Sequence, residues 1–305
     1  MTDTHDAIPV IVNNAAGGGH DAAQAARIVE AFAAAGVLVE VQMPRAGEGL
    51  DAVLRRVLRK APPVVIAGGG DGTVSTVAAA VAGTSTALGV LPLGTLNHFA
   101  KDLAIPLDLE GAARVIAEGN RAAVDLGDVN GHAFVNNSSL GLYPDMVRDR
   151  QLQQSRLGRG KWSALVWASL TLLRRYPFLD VRMDIDGTTV TRRTPFVFIG
   201  NNAYTMEGFD IGSRARLDRG VLSVYVTQRR GRLRLFLLAL RALFGRLRQA
   251  RDFDALTCHA MTVSTHHRRL RVATDGEVAM LETPLRYTVR AGALQVLVPA
   301  PAAEA

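Results

Sequence analysis

Val64-Val65-Ile66-Ala67-Gly68-Gly69-Gly70-Asp71-Gly72-Thr73 carries the decisive local signal of this chain. Four β-branched or small apolar residues predict a short buried strand, and the glycines that follow let the backbone approach a bulky ligand without Cβ clashes. Thr73 is expected to cap a helix over roughly 74–81. The N-terminal N–H groups and positive dipole end of that helix would point at the turn, an arrangement that binds an anion with few cationic side chains. Asp71 is the residue out of place, because a carboxylate beside a phosphate is unfavourable unless it faces a metal ion, a water shell around one, or a proton to be moved. A plain strand-to-helix turn is the alternative, but it would not need three glycines followed by Asp-Gly-Thr.

Working outward, short apolar runs at Ile8 to Val12, Val37 to Gln42, Val64 to Ala67 and Ala87 to Leu91 each precede a helix-forming segment, and Arg121 to Leu126 closes the series. This alternation predicts a parallel α/β layer over residues 1–128, a nucleotide-binding domain with its ligand turns at the carboxyl ends of the strands. After about Asp128 the texture changes to runs of Val, Thr, Phe and Arg, separated by Asp186-Gly187, Arg219-Gly220, Asp275-Gly276 and Ala291-Gly292. Residues 129–305 therefore read as an antiparallel β-rich domain, with helical insertions at about 161–175 and 232–251 and with the last residues free to return to the first domain.

Two further small-residue turns follow predicted strands. Leu91-Pro92-Leu93-Gly94-Thr95-Leu96-Asn97-His98-Phe99-Ala100 is expected beside the Asp71 turn, since adjacent parallel strands share one crevice at their carboxyl ends. Gly94 permits close backbone approach, while Thr95 and Asn97 offer a hydroxyl and an amide to phosphate or substrate oxygens. Asn13-Asn14-Ala15-Ala16-Gly17 ends the first strand in a third such turn. Three turns on one sheet edge make a nucleotide site far more specific than any one of them.

The 305 residues are 48% hydrophobic and 21% charged, an ordinary globular mixture, and the formal net charge is +7. That surplus favours a polyanionic partner, nucleic acid or anionic membrane. The basic residues lack the aromatic interleaving of a single-strand groove, which argues against nucleic acid. A single cysteine, Cys258, excludes an internal disulfide and a thiolate metal cluster, and it fits a reducing cytosol. Met1 to Ala7 does not read as a secretory signal, and Pro299 to Ala305 reads as a loose tail. The longest apolar stretches, Trp162 to Leu173 and Leu233 to Phe244, fall short of the roughly eighteen residues that span a bilayer. In the second, Leu233, Phe236, Leu237, Leu240 and Phe244 share a helical face beside arginines, which suits either a core helix or one lying on a membrane surface.

These residues resemble the soluble diacylglycerol kinase and sphingosine kinase group of lipid kinases, whose nucleotide domain is related to NAD kinase and phosphofructokinase. Gly69-Gly70-Asp71-Gly72-Thr73 matches the signature of the superfamily, and Pro92-Leu93-Gly94-Thr95-Leu96-Asn97 with Phe99-Ala100 looks like the lipid kinase form. Val124-Asp125-Leu126-Gly127, Phe134-Val135-Asn136-Asn137-Ser138-Ser139-Leu140-Gly141 and Asp275-Gly276-Glu277 extend the likeness over nearly the whole chain. The resemblance implies a Rossmann/phosphofructokinase-like first domain, with ATP across its three turns and Mg²⁺ held through water by Asp71 and Asp125. It implies that Glu277 receives the proton of a lipid hydroxyl, and that Asp218 ligates a structural Mg²⁺.

Two departures from the family pattern stand out. His98 occupies a position where many relatives carry Asp, and imidazole is a poor substitute for oxygen around Mg²⁺. The segment Ala215 to Ser223 is less acidic than its counterpart, with Arg219 and Ser223 where further carboxylates are usual. The expected function is ATP-dependent phosphorylation of a membrane lipid, diacylglycerol or sphingoid-type, by a cytoplasmic protein bound peripherally to the anionic inner face of the membrane. A kinase with a soluble acceptor such as NAD, and a nucleotide- or lipid-binding regulator without catalysis, are the alternatives. Acceptor identity and oligomeric state are left open by the sequence.

Overall fold

A computed structural model describes residues 7–13, 21–45, 47–141, 178–208, 210–227, 247–248 and 253–301. The expected helical insertion at 161–175, most of that at 232–251, and Asn14 and Gly17 lie outside the described residues. The chain divides into two compact units, Met1–Leu126 with Ala291–Ala305, and Gly127–Arg290.

The first unit alternates strand and helix: β1 (Ile8–Val12), α1 (Asp21–Ala34), β2 (Val39–Gln42), α2 (Leu50–Leu58), β3 (Val64–Gly69), α3 (Asp71–Val81), β4 (Ala87–Pro92), α4 (His98–Asp102), α5 (Leu109–Glu118) and β5 (Arg121–Val129). Strands run in the order β2-β1-β3-β4, all parallel. β4 is buried at every position and β3 at all but its first, as strands covered on both faces must be. Val74, Val77, Ala78 and Val81 recur at helical spacing on the buried side of α3.

In the second unit follow β6 (His132–Phe134), β7 (Asn137–Gly141), β8 (Leu179–Ile185), β9 (Thr188–Thr194), β10 (Phe196–Asn201), β11 (Thr205–Gly208), β12 (Asp210–Ser213), β13 (Leu222–Thr227), β14 (Leu247–Arg248), β15 (Phe253–Cys258), β16 (Ala260–Ser264), β17 (Arg269–Thr274), β18 (Glu277–Glu282) and β19 (Leu285–Leu297). One antiparallel sheet has the order β15-β13-β10-β7-β17-β18, and a second layer pairs β9, β8 and β16 with the start of β19. Burial in β8 alternates strictly, and its inward residues Val181, Met183 and Ile185 join Leu140, Val197, Ile199, Val224 and Val272 of the other sheet in one core.

The structure corrects several local expectations. Helix α3 starts at Asp71 with Gly70 as its N-cap, so Thr73 lies inside the first turn and does not cap. β5 does not close the parallel row: it pairs antiparallel with β6, and the strand beside β4 is the end of β19, with Val296 opposite Leu88. Ala291-Gly292 separates no elements but lies within β19, where Gly292 at φ 59° changes the backbone course without ending the strand. Leu247 and Arg248 form β14 against β11, so the expected helix does not run through them.

Candidate functional site

In the first unit the two glycine turns touch through bare backbone. A Cβ on Gly70 would stand 3.5 Å from the Gly94 Cα, and a Cβ on Gly94 would overlap Gly70 and come within 2.8 Å of Asn97 Oδ1. The Leu93 N–H donates to the Gly69 carbonyl (3.1 Å), which ties the ends of β3 and β4 together. Helix α3 begins directly after Gly70, whose lack of a side chain leaves the first-turn N–H groups to other partners. Behind the turn, Thr73 is buried with its side chain packed on Gly69, where a Cβ would lie 2.6 Å from Thr73 Oγ1.

Asp71 is half-buried, and its Oδ1 accepts the Phe99 N–H at 3.4 Å. Among the described residues that is the one hydrogen bond of its carboxylate. Thr95 and His98 are exposed on the neighbouring turn, and Asn13 continues β1 with its N–H on the Gly68 carbonyl. Asn97 has partners that the sequence did not reveal. It adopts a left-handed conformation (φ 51°, ψ 47°), is buried, and folds back on its own loop. Its Oδ1 accepts the Gly94 N–H (3.1 Å), and its Nδ2 donates to the carbonyls of Gly94 (2.9 Å) and Pro92 (3.3 Å). The amide thus closes its own turn.

Asp125 also has a distant partner. It is 2% exposed, and its Oδ1 accepts the Gly292 N–H at 2.9 Å, so the carboxylate fastens the kink of β19. In the second unit, both oxygens of Asp218 are engaged by Arg216, Nε to Oδ1 at 2.8 Å and Nη2 to Oδ2 at 2.6 Å. The guanidinium holds the Asp218 carboxyl below its ordinary range. Metal binding by Asp218 would compete electrostatically with that pair. No group of three metal-ligating side chains occurs among the described residues. The donor set therefore suits nucleotide phosphates at the glycine turns. Among the described residues Asp71 would suit Mg²⁺, with water and phosphate oxygens completing the shell of a hard cation.

Glu277 is exposed as the first residue of β18, immediately after the Asp275-Gly276 turn. Around the base of that turn lies a polar network with little local signature. Arg214 is 4% exposed, donates to the Val135 and Asn201 carbonyls and to Asn136 Oδ1, and lies 5.1 Å from the Tyr204 ring. Asn136 sits in a stretch whose motif was legible, but nothing near Arg214 in sequence marks it as buried. A pocket of about 330 Å³ in the same unit is lined by Met183, Val190, Val226 and Leu256, with the Arg192–Asp254 ion pair among its walls. Burial pushes the Cys258 thiol up to about 12, which removes it as a nucleophile.

Residues 7–129 match the family model of the diacylglycerol kinase catalytic domain, and residues 144–298 that of the YegS C-terminal NAD kinase beta sandwich-like domain. Among curated proteins, an uncharacterized Synechocystis protein, sll0036, is 33% identical over 53% of this chain and 37% of its own length. A Staphylococcus aureus diacylglycerol kinase is 29% identical over 57% of this chain and 55% of its own length. The chain thus spans about half or less of the curated relatives it matches. A crystal structure of a diacylglycerol kinase from Bacillus anthracis str. Sterne shares the fold, with a TM-score of 0.70 at 23% identity over 98% of this chain and 99% of that one. Another structure from the same organism reaches 0.74 at the same identity and coverage. With a catalytic-domain match followed by a YegS-type β-sandwich match along its length, this chain belongs to the diacylglycerol kinase family.

Proposed function

We propose that the chain transfers the γ-phosphoryl group of ATP to a hydroxyl of a membrane lipid, diacylglycerol or sphingoid-type. The observation that carries this reading is the backbone contact of Gly70 with Gly94 at the carboxyl ends of two neighbouring parallel strands, directly before the N-terminus of α3. Such a junction offers N–H groups and a positive dipole end to a phosphate chain without a side chain in the way. ATP would supply the phosphoryl group, and Asp71 would hold Mg²⁺ through a bound water. The acceptor oxygen forms the new P–O bond as the bond to the β–γ bridging oxygen breaks, ADP leaves with that electron pair, and Glu277 takes the hydroxyl proton.

A membrane acceptor is supported by the family and by the net charge of +7, which favours an anionic surface on the inner face of the membrane. No helix among the described residues is long and apolar enough to cross a membrane. The direct test is transfer of label from γ-labelled ATP into a total lipid extract and, in parallel, into a soluble metabolite pool. Label in the lipid fraction, identified by mass spectrometry, is expected. Label confined to the soluble pool would give the acceptor to a dinucleotide or sugar phosphate, and ATP binding without transfer to either would leave a regulator. Glu277→Gln is expected to lower turnover by about a hundredfold with unfolding unchanged. Turnover within a few-fold of the parent would remove Glu277 from the proton-transfer step.

A further inference from the structure

Glu277 is exposed at a hairpin tip, where packing does little to fix a side chain and local opening is cheap. Two residues before its carboxylate, however, the tip is fastened from both sides. Asp275 and Gly276 have φ values of 47° and 87°, the positive pair of a tight two-residue turn. Asp275 Oδ2 accepts the Val135 N–H at 2.7 Å, its Oδ1 accepts those of Asn136 and Asn137 at 2.9 Å each, and its own N–H donates to the Asn137 carbonyl at 2.9 Å. The same three residues, the two-residue β6–β7 connection and the first residue of β7, are gripped on their carbonyl side by Arg214. Nη1 reaches the Val135 carbonyl at 2.7 Å and Nη2 reaches Asn136 Oδ1 at 2.7 Å, while Asn201 Nδ2 adds a bond to the Val135 carbonyl at 3.0 Å.

We propose that Asp275 and Arg214 are positioning residues for proton transfer. Through the Val135–Asn137 segment they hold the turn that carries Glu277, so that its carboxylate stays where the acceptor hydroxyl needs it. The inference rests on the reading of Glu277 given above. It also gives the Phe134 to Gly141 motif a role, since its backbone N–H groups receive Asp275 and its Asn136 receives Arg214. Misplacement of a reacting group by about 1 Å costs on the order of a hundredfold in rate, so a clamp two residues away matters to kcat even when the fold survives.

The unit contains its own control. Asp186-Gly187 forms the same kind of turn between β8 and β9 (φ 45° and 84°), and the Asp186 carboxylate accepts the N–H groups of His259 and Ala260 at 3.0–3.2 Å. If such an Asp only stabilises its turn, replacing either one has the same kind of consequence. The test measures kcat, the KM for ATP and thermal unfolding for Asp186→Ala, Asp275→Ala and Asp275→Asn, the last two also in the Glu277→Gln background. Asn keeps one acceptor oxygen for the Asn136 and Asn137 N–H groups and turns a donor toward that of Val135, so it is the milder variant and keeps the test valid if Asp275→Ala fails to fold. Expected are an about tenfold fall in kcat for Asp275→Asn with the KM for ATP within about twofold, no such fall for Asp186→Ala, and less than about twofold further loss when Asp275→Asn is added to Glu277→Gln. Equal losses of kcat for Asp275→Asn with and without Glu277, unchanged kcat, or a fall matched by Asp186→Ala would each overturn the positioning role while Glu277 keeps its own. Full turnover in Glu277→Gln alone would overturn both.

Discussion

The glycine turns of the first unit and the Asp275 turn of the second are held by opposite means. At Gly70 and Gly94 the junction exists because side chains are missing, and its partners are backbone atoms a few residues from strand ends. At Asp275 the junction exists because side chains are present: a carboxylate and a buried guanidinium satisfy the polar groups of a segment far away in sequence. The first kind tolerates no added atom, whereas the second tolerates no lost one. A phosphate cradle needs open backbone, while a proton acceptor needs its carrier fixed in place, so the contrast follows the chemistry proposed for each.

The strongest challenge to that contrast is Arg214→Met. Removing the buried guanidinium takes a charged donor away from the Val135 and Asn201 carbonyls and from the Asn136 amide oxygen, leaving the Val135 carbonyl the bond from Asn201 Nδ2, and should cost about 3–5 kcal/mol in denaturant unfolding. A cost near zero would mean that the network is dispensable packing. Gly94→Ala probes the other side: overlap with Gly70 should cost about 1–3 kcal/mol and lower kcat/KM for ATP by about a hundredfold, measured by steady-state kinetics. Unchanged ATP kinetics would sever the contact from the nucleotide.

Asn97→Ala should be milder, at about 1–2 kcal/mol, because it removes the hydrogen bonds to Gly94 and Pro92 and puts Ala in a left-handed conformation. Asn97→Gly, which relieves the backbone but not the bonds, should fall between it and the parent in thermal unfolding. Asp218→Ala should have the smallest effect, with turnover within about twofold, since an exposed ion pair contributes little. A larger loss that excess Mg²⁺ restores would return Asp218 to the metal.

The same contrast separates what is legible in the sequence from what is not. The turn from Gly68 to Thr73 and the turn from Pro92 to Ala100 were legible, and so was their adjacency, because consecutive parallel strands carry their ends to one edge. The parallel-then-antiparallel architecture was legible from the change in apolar period. The protein partners of Asn97 and Asp125 were not legible. A polar residue in a glycine motif looks the same whether it faces a ligand or closes its own loop, and the partner of Asp125 lies at Gly292 in a strand that follows the whole second unit. Arg214 was missed for the same reason: an arginine among exposed residues reads as a solvated charge until distant carbonyls surround it.

What the sequence determined by itself is therefore the local chemistry: strand, glycine turn and helix in the first unit, and Asp-Gly hairpins in the second, where backbone sterics over a few residues suffice. The tertiary structure alone decided the fate of the polar side chains. A carboxylate or amide takes whichever partner long-range packing brings within hydrogen-bond distance, and that partner decides whether it faces a ligand, closes a turn or holds another residue in place.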